Sequence, residues 1–481
     1  MERPSNPRES MTTVTAFRSR RKVLAGQLSG GSVLLVGHTL LPRNYLANPM
    51  PFRQDSTFLY YTGVRTPDAA CLIAPSGMST LYLPASDPAD EIWHGRQPPM
   101  EFVARRAGME SVATLDHLGA AINELQRQKT TVHALPVADP IANARQNEWL
   151  KSQLDPREPT SGSEALLEAV IQMRLVRDAD ELVAMRRAAE VTASAHRLAM
   201  SATHPGVSED AIHALIEATF KANGMTSAYP PIVTIEGEVL HGHATGRELR
   251  SGQLLLVDAG AETPEGYASD VTRTWPVNGR FEPKQADLYR AVLEAQKAAL
   301  AKCTVGTPFR DVHHAAALKL TQTLVDMTLL KGDAEELVAM GAHALFFPHG
   351  VGHLIGLDVH DLELYGDHAG YSADSHRSDQ FGLSYLRLDR PLLDGMVVTI
   401  EPGFYIIPSL LRSQEMRDKF DDHVNWEEAH RLAPFGGIRI EDDVFITADG
   451  PEVLTDAIPR TVAEVEAAVG IGPPPEERLS A

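Results

Sequence analysis

Two segments in the second half of the chain end a short apolar run with a carboxylate. Residues 254–258 read LLLVD and residues 397–401 read VVTIE, and each acid stands six residues after a glycine. A short apolar run of this kind is typical of a buried strand. A carboxylate at the end of such a strand is destabilising unless a partner compensates its charge. Asp258 and Glu401 are therefore candidates for a site that binds positive charge.

Each of these acids is followed by a second strand-like segment that carries another acid. Asp270 lies 12 residues after Asp258, which suits a tight hairpin, whereas Glu441 lies 40 residues after Glu401. The second interval is 28 residues longer than the first, and the polar segment 408–435 is the candidate for the extra length. The repeat predicts a pseudo-twofold domain in which two hairpins present four carboxylates to one centre.

A glycine-rich segment between the two repeats supplies histidines. Residues 349–361 read HGVGHLIGLDVHD. Four carboxylates around one centre repel one another, and two divalent cations supply more opposing charge than one arginine can. We therefore predict that two metal ions are held by Asp258, Asp270, His353, Glu401 and Glu441. This oxygen-rich set favours Mn²⁺, with Co²⁺ and Zn²⁺ as alternatives.

The first third of the chain has a different pattern, in which strand-like and helical segments alternate. The predicted strands are 32–36, 70–74, 80–83 and 131–135, and the predicted helices are 15–28, 88–93, 101–107 and 117–128. Such alternation is typical of an α/β domain. Residues 151–163 are rich in proline, serine and glycine and are predicted to be a linker. A long helical pattern then runs over 164–200, with a break near Arg177 and Asp178.

Composition excludes several classes of protein. The chain has 481 residues, and its 44 lysines and arginines against 64 aspartates and glutamates give a net charge of −20. The acidic balance argues against nucleic acid as a partner, because phosphate binding requires a basic face. No apolar run approaches the roughly 18 residues of a membrane-spanning helix, so no membrane association is expected. The two cysteines, Cys71 and Cys303, form no disulfide framework and favour a cytoplasmic location.

An alternative for the N-terminal region is an export signal. Residues 19–24 resemble a twin-arginine motif. The stretch that follows is broken by polar residues and glycines and has no small-residue cleavage site, so we predict a basic amphipathic helix there instead.

Five longer segments carry a resemblance to a known family. They are LLLVDAG (254–260), SDVTRTWPVNG (269–279), HGVGHLIGLDVHD (349–361), TIEPG (399–403) and GIRIEDD (437–443). With them the chain resembles the pita-bread metallopeptidases, and among these the proline-specific branch of aminopeptidase P and prolidase. Residues 46–63 and 91–96 resemble the N-terminal domain of that branch. The resemblance implies an α/β N-terminal domain over 1–160 and an α+β, pseudo-twofold pita-bread catalytic domain over 161–481.

The resemblance also implies how the five candidate ligands share two metal ions. Asp258 is expected to hold one ion, Asp270 and Glu441 to bridge both, and His353 and Glu401 to complete the other. A water between the ions would have its pKa lowered towards neutrality and would attack the scissile carbonyl as hydroxide.

Four further residues are given roles by the resemblance or by their position. His241 is expected to contact the substrate, and His360 to hydrogen-bond the substrate carbonyl or stabilise the tetrahedral intermediate. Glu401 is the candidate to accept a proton from the attacking water and deliver it to the departing nitrogen. His349 is expected to line the substrate pocket, and Arg439 to orient the bridging acid two residues later.

The function that the resemblance implies is removal of the first residue from peptides with proline in the second position. The first alternative is a prolidase, which cleaves only Xaa-Pro dipeptides with the same metal centre. Segments 46–63 and 91–96 favour the aminopeptidase, whereas the insertion 408–435 resembles the longer prolidases. A non-enzymatic binding module on the same fold and a methionine aminopeptidase are weaker alternatives. Relatives of this type are dimers or tetramers, so a homo-oligomer is expected.

Several neighbouring residues are predicted to have no role in the site. Asp358, Asp442 and Asp443 lie beside candidate ligands and are expected to be solvated turn residues. His313 lies in a helical pattern without partner acids and is expected to be a packing or surface residue.

Overall fold

The chain divides into two compact units. The structure is a computed structural model that describes residues 14–85, 90–242 and 244–479. The first unit contains the residues up to Leu175 together with Leu362–Gly366, and the second contains Val176–Asp361 and the residues from Asp367 onward. The domain boundary at residue 160 stays a prediction.

The first unit is built on one five-stranded mixed sheet. Its strands are β1 (Ser32–Val36), β2 (Ala70–Ile73), β3 (Ser79–Leu83), β4 (Ser111–Thr114) and β5 (Val132–His133). The order across the sheet is β4-β3-β2-β1-β5, with β3 parallel to β4, β1 parallel to β5 and the other pairs antiparallel. All four predicted strands are confirmed, within three residues at each end.

Seven helices accompany this sheet in the described part of the first unit. They are α1 (Val14–Gln27), α2 (Ser56–Thr62), α3 (Asp90–His94), α4 (Met100–Arg106), α5 (Leu118–Arg127), α6 (Pro140–Leu150) and α7 (Glu164–Leu175). The basic helix predicted over 15–28 is α1, and its Arg20 and Arg21 are buried. Their guanidinium groups donate to the carbonyls of Tyr60 (3.0 Å) and Tyr61 (2.8 Å). The prediction of a helix over 88–93 begins outside the described residues, at 88 and 89.

The described residues of the second unit form four small antiparallel sheets. Its strands are β6 (Thr226–Ser227), β7 (Ile232–Thr234), β8 (Leu254–Asp258), β9 (Ala261–Glu262), β10 (Thr272–Pro276), β11 (Val397–Ile400), β12 (Gly403–Tyr405), β13 (Gly437–Arg439), β14 (Asp442–Thr447) and β15 (Gly450–Val453). Two three-stranded antiparallel sheets have the orders β10-β8-β7 and β11-β14-β15, and β6-β9 and β12-β13 form two-stranded sheets. Both predicted acid-bearing strand pairs are confirmed, since β8 pairs with β10 and β11 pairs with β14.

Helices surround these sheets. They are α8 (Ala179–Ala202), α9 (Glu209–Ala222), α10 (Pro283–Leu300), α11 (Phe309–Asp326), α12 (Ala334–Met340), α13 (Asp367–Gly370), α14 (Pro408–Arg412), α15 (Gln414–Phe420), α16 (Trp426–Arg431), α17 (Val462–Ala468) and α18 (Pro475–Leu479). The predicted break between α7 and α8 is confirmed. Asp178 caps α8 by accepting from the Glu181 amide, and the Glu181 side chain accepts from the Asp178 amide in return.

The segment 408–435 is a folded helical insertion between β12 and β13. It contains α14, α15 and α16, and its Phe420, Val424 and Ala429 are buried. The Asn425 amide donates to the Leu329 carbonyl at 2.9 Å, which fixes the insertion to the turn after α11.

Two glycines allow the backbone segments that carry acids and histidines to approach closely. A Cβ atom at Gly260 would lie 1.7 Å from the Ser269 carbonyl oxygen, and one at Gly352 would lie 1.9 Å from the Thr399 carbonyl oxygen. Only a residue without a Cβ atom fits in either place. The strand ends can therefore meet without intervening side chains.

Replacing Gly352 by alanine should destabilise the second unit. The new Cβ atom would overlap the Thr399 carbonyl, and overpacking of this kind lowers the free energy of unfolding by about 1–3 kcal/mol. Thermal unfolding measures the loss. The matched control is Gly26→Ala on α1, where nothing lies within 4 Å of the added atom. Equal stability of the two variants would contradict the close approach.

Candidate metal centre

Four carboxylates come together at the ends of the two repeated strand pairs. Asp258 is the last residue of β8 and Asp270 precedes β10, whereas Glu401 follows β11 and Glu441 precedes β14. Ligand atoms of Asp258, Asp270 and Glu441 all lie within 4.8 Å of one another. Strand pairing explains the arrangement. Asp258 is opposite Thr272, and Ile400, which precedes Glu401, is opposite Asp442, which follows Glu441.

His353 joins the cluster from the glycine-rich segment. Ligand atoms of His353, Glu401 and Glu441 lie within 4.8 Å of one another. The Nδ1 atom of His353 lies 3.0 Å from the Leu354 carbonyl oxygen, which can only accept, so Nδ1 carries the proton. The Nε2 atom lies 3.4 Å from Asp270 Oδ2 and 3.7 Å from Glu401 Oε1. A histidine with its tautomer fixed in this way is ready to bind a metal ion.

His360 lies at the edge of the same cluster. One of its ring nitrogens is within 4.8 Å of ligand atoms of Asp270 and His353. The rings of His353 and His360 have centroids 4.0 Å apart. The structure therefore places His360 beside the candidate ligands.

The electrostatics of the cluster demand a strong positive charge. Asp270 and Glu441 are almost completely buried. Burial, followed by repulsion from Asp258, raises the pKa of Asp270 to about 8. Burial and three neighbouring carboxylates raise the pKa of Glu441 well above the ordinary range, and burial also raises that of Glu401. The donor set of four carboxylates and one imidazole fits divalent cations, which would restore the charged forms.

Arg439 places a positive charge next to the cluster. Its Nη2 donates to Asp258 Oδ2 at 2.5 Å, and its Nε donates to Thr272 Oγ1 at 2.8 Å. The Thr272 hydroxyl in turn donates to Glu441 Oε2 at 2.6 Å. Arg439 therefore contacts Asp258 directly and reaches Glu441 through Thr272.

His349 and Tyr405 extend this network along the pocket wall. His349 Nδ1 donates to the Gly350 carbonyl at 2.8 Å, so its Nε2 accepts from the Tyr405 hydroxyl at 2.9 Å. The Tyr405 oxygen accepts from Arg439 Nη1 at 3.1 Å. Burial, followed by the charge of Arg439, lowers the pKa of His349 to about 3, which keeps the ring neutral.

The cluster opens into a large pocket that contains all nine site residues predicted from the sequence. The cavity has a volume of about 700 Å³, and its lining includes His241, His349, His353, His360, Arg439 and the four carboxylates. His241 lines the wall outside the carboxylate cluster. Partial enclosure, followed by the positive charges of Arg439 and Arg387, lowers the pKa of His241. The individual roles of these residues stay predictions.

Sequence reasoning missed Tyr229, which contacts two of the acids. Its hydroxyl lies 2.6 Å from Asp258 Oδ1 and also contacts Asp270 Oδ1. Burial, followed by the charges of Asp258 and Asp270, raises the pKa of Tyr229 well above its usual value. The residue stands 29 positions before Asp258 in a segment with no repeated pattern, so nothing in the sequence pointed to it.

The prediction that Asp442 and Asp443 are solvated is wrong. Both are buried at the start of β14. Asp442 pairs with Arg273 at 2.7 Å, and both side chains are fully buried. Asp443 accepts from the Ser269 hydroxyl at 2.7 Å and from the Asp270 amide at 3.1 Å. These two acids lie within a strand rather than a turn, and they tie the two repeats together behind the candidate ligands. Asp358, in contrast, is only partly buried.

The fold and the carboxylate–histidine centre define a metal-dependent hydrolase of the pita-bread type. Residues 183–448 match metallopeptidase family M24, and residues 17–133 match the aminopeptidase P N-terminal domain. The chain belongs to metallopeptidase family M24. The resemblance to the aminopeptidase P branch and the predicted fold class are thereby confirmed.

Relatives of this chain include proteins named as peptidases. It is 32% identical to the Xaa-Pro aminopeptidase of Escherichia coli K12, over 94% of this chain and 96% of that protein. It is 31% identical to the Xaa-Pro dipeptidase of Homo sapiens, over 91% of this chain and 88% of that protein. The solved structure of Pseudomonas aeruginosa aminopeptidase PepP matches with a TM-score of 0.79 and 31% identity, over 95% of this chain and 98% of that one.

Replacing Tyr229 by phenylalanine should weaken metal binding while preserving the fold. The ring stays in place, but Asp258 and Asp270 lose the hydroxyl that contacts their Oδ1 atoms. Loss of a residue that orients metal ligands without binding the metal lowers metal affinity about 10- to 100-fold. Competition with a fluorescent chelator measures the affinity for Mn²⁺. Tyr371→Phe is the control, because that hydroxyl donates to the Leu386 carbonyl instead. Unchanged affinity in Tyr229→Phe would show that the hydroxyl does not orient the ligands.

Proposed function

We propose that this metallopeptidase removes the first residue from peptides with proline in the second position. The observation that carries the proposal is the cluster of four carboxylates and His353 inside one pocket of a family M24 fold. The match of the first unit to the aminopeptidase P N-terminal domain, and relatives named as Xaa-Pro aminopeptidases, support the choice of substrate. We also propose peptides of this kind as the partners of the pocket.

Different residues of the pocket bind the metal ions, transfer the proton and bind the substrate carbonyl. Two divalent ions, Mn²⁺ by preference, would be held by Asp258, Asp270, His353, Glu401 and Glu441. When bound, they supply Lewis acidity and a water activated near neutral pH. Glu401 accepts the proton of the attacking water at its carboxylate and passes it to the proline nitrogen as the peptide bond breaks. His360 donates a ring N–H to the substrate carbonyl oxygen, where negative charge develops.

The remaining residues hold the substrate and the ligands. His241, which lines the pocket, contacts the bound peptide, and neutral His349 accepts a hydrogen bond from the Tyr405 hydroxyl. Arg439 keeps Asp258 oriented, and acts on Glu441 through Thr272. The excess of acidic residues favours binding of the free α-amine of a peptide.

The pocket volume favours an aminopeptidase over a prolidase. Its volume of about 700 Å³ leaves room beyond a dipeptide, although Ser409 and Leu410 of the insertion line part of the wall. The prolidase remains the second candidate, because a relative of similar identity is named a dipeptidase. The insertion 408–435 would then limit the length of peptide that enters.

We also propose that the protein forms a homo-oligomer and is located in the cytoplasm. The first unit exposes Leu46, Ile92 and Trp93, residues that are 78–90% accessible. We propose that a second copy of the chain covers apolar surface of this kind. Among the described residues, no helix is long and apolar enough to span a bilayer. Cys71 and Cys303 are both buried and unpaired, which supports the cytoplasmic location expected from the sequence.

Metal-dependent cleavage of two peptides tests the proposed function. The protein is stripped with chelator, restored with Mn²⁺ and given Gly-Pro and Arg-Pro-Pro in parallel, with products separated by chromatography. We expect release of arginine from the tripeptide only when metal is present. Cleavage of the dipeptide alone would identify a prolidase, and cleavage of neither peptide would overturn the proposed substrate class.

Replacing His360 by alanine should separate catalysis from metal binding. We expect kcat on Arg-Pro-Pro to fall about 10²–10³-fold, as for loss of one donor to a developing oxyanion, while the metal content stays at that of the wild type. Metal analysis of the same preparation supplies the second readout. His314→Ala, an exposed histidine on α11, is the control. Loss of bound metal in His360→Ala would instead make His360 a ligand.

A further inference from the structure

The loop that carries His241 has little internal support. We call residues 235–245 the histidine loop; it follows β7, and 243 is its one residue outside the described part. Among its described residues, the backbone hydrogen bonds within the loop are Val239 N to Glu236 O at 2.9 Å and Gly242 N to Val239 O at 3.1 Å. His241 lines the pocket but is itself exposed. Something outside the loop must therefore hold His241 against the pocket.

One buried carboxylate binds both ends of the histidine loop. Glu209 is the first residue of α9, and its side chain is 0% exposed. Glu209 Oε1 accepts from the Ile235 amide at 2.9 Å. Glu209 Oε2 accepts from the Thr245 amide at 3.0 Å and from the Thr245 hydroxyl at 3.1 Å. The first and last residues of the loop are thus bound to two oxygens of the same group.

An arginine adds to this contact from the loop's C-terminal side. Arg247 Nη1 lies 3.8 Å from Glu209 Oε1, and Arg247 Nη2 lies 2.7 Å from Glu236 Oε2. The Glu209 amide donates to the Arg247 carbonyl at 3.0 Å. Hydrogen bonds to an ionised carboxylate are stronger than those between neutral groups, and a buried carboxylate without them would be destabilising. The loop ends and Glu209 therefore stabilise one another.

We propose that Glu209 is a positioning residue that places His241 against the bound peptide. The proposal rests on the proposed function, in which His241 contacts the substrate. Glu209 does not line the pocket and acts only through the loop. Its effect on peptide cleavage should consequently depend on the presence of the His241 imidazole.

A double-mutant cycle on the metal-loaded full chain tests whether the effect of Glu209 on peptide cleavage depends on His241. With Arg-Pro-Pro as substrate, Glu209→Gln should lower kcat/KM about 10- to 100-fold. The NH₂ group of the new glutamine would face N–H and O–H donors of the loop and could not accept from them, so the loop and His241 would shift. In the His241→Ala background, the same substitution should change kcat/KM by less than about 2-fold. Glu217→Gln, an exposed acid on the same helix, should leave kcat/KM unchanged. Equal losses in both backgrounds, or no loss in the wild-type background, would overturn the proposal.

Hydrogen exchange gives a second readout that needs no activity. Amides of the histidine loop should exchange faster in Glu209→Gln, while those of β8 and β10 stay at the wild-type rate. Uniform loss of protection over the whole unit would mean a structural role only and would overturn the proposal. If Glu209→Gln does not fold, Thr245→Val removes one of the three hydrogen bonds and should give a smaller loss with the same dependence on His241. If the wild type cleaves no Xaa-Pro peptide, the proposed function fails, whereas the exchange experiment still decides the positioning role.

Discussion

The main constraint on the second unit is the repulsion among carboxylates that are buried close together, which the rest of the unit must compensate. Each acid alone could be satisfied by an arginine or by backbone amides, but Asp258, Asp270 and Glu441 have ligand atoms within 4.8 Å of one another. Arg439, which contacts Asp258 directly, carries a single positive charge against these acids. Divalent cations resolve this conflict, because they provide the opposing charge at the place where the acids converge.

The rest of the second unit serves to bring these acids together and to hold them. Two antiparallel strand pairs end at the same place, and glycines at 260 and 352 let their backbones approach more closely than any side chain would permit. Behind the cluster, Asp443 accepts from the backbone amide of Asp270, and the buried pair of Arg273 and Asp442 joins β10 to β14. These contacts hold in place the strands that carry the candidate ligands, as the supporting residues of a metal site do.

The acid-bearing strands and their pairing could be predicted, because they depend on residues that are close together in the sequence. The apolar runs before Asp258 and Glu401 gave the strands, and their spacing gave the pairing that the structure confirms. Contacts that depend on residues distant in sequence could not be found in the same way. Tyr229 belongs to no repeated pattern, and the acids after Glu441 were mistaken for turn residues because their buried partners, Arg273 and Ser269, lie more than 160 positions away.

Anomalous diffraction from crystals of the Mn²⁺-loaded protein tests the central claim most directly. We expect two manganese peaks about 3.5–4 Å apart. They should lie among Asp258, Asp270, His353, Glu401 and Glu441, with Asp270 and Glu441 between them. A single peak, or peaks outside this cluster, would contradict the claim that the four carboxylates are held together by two divalent ions.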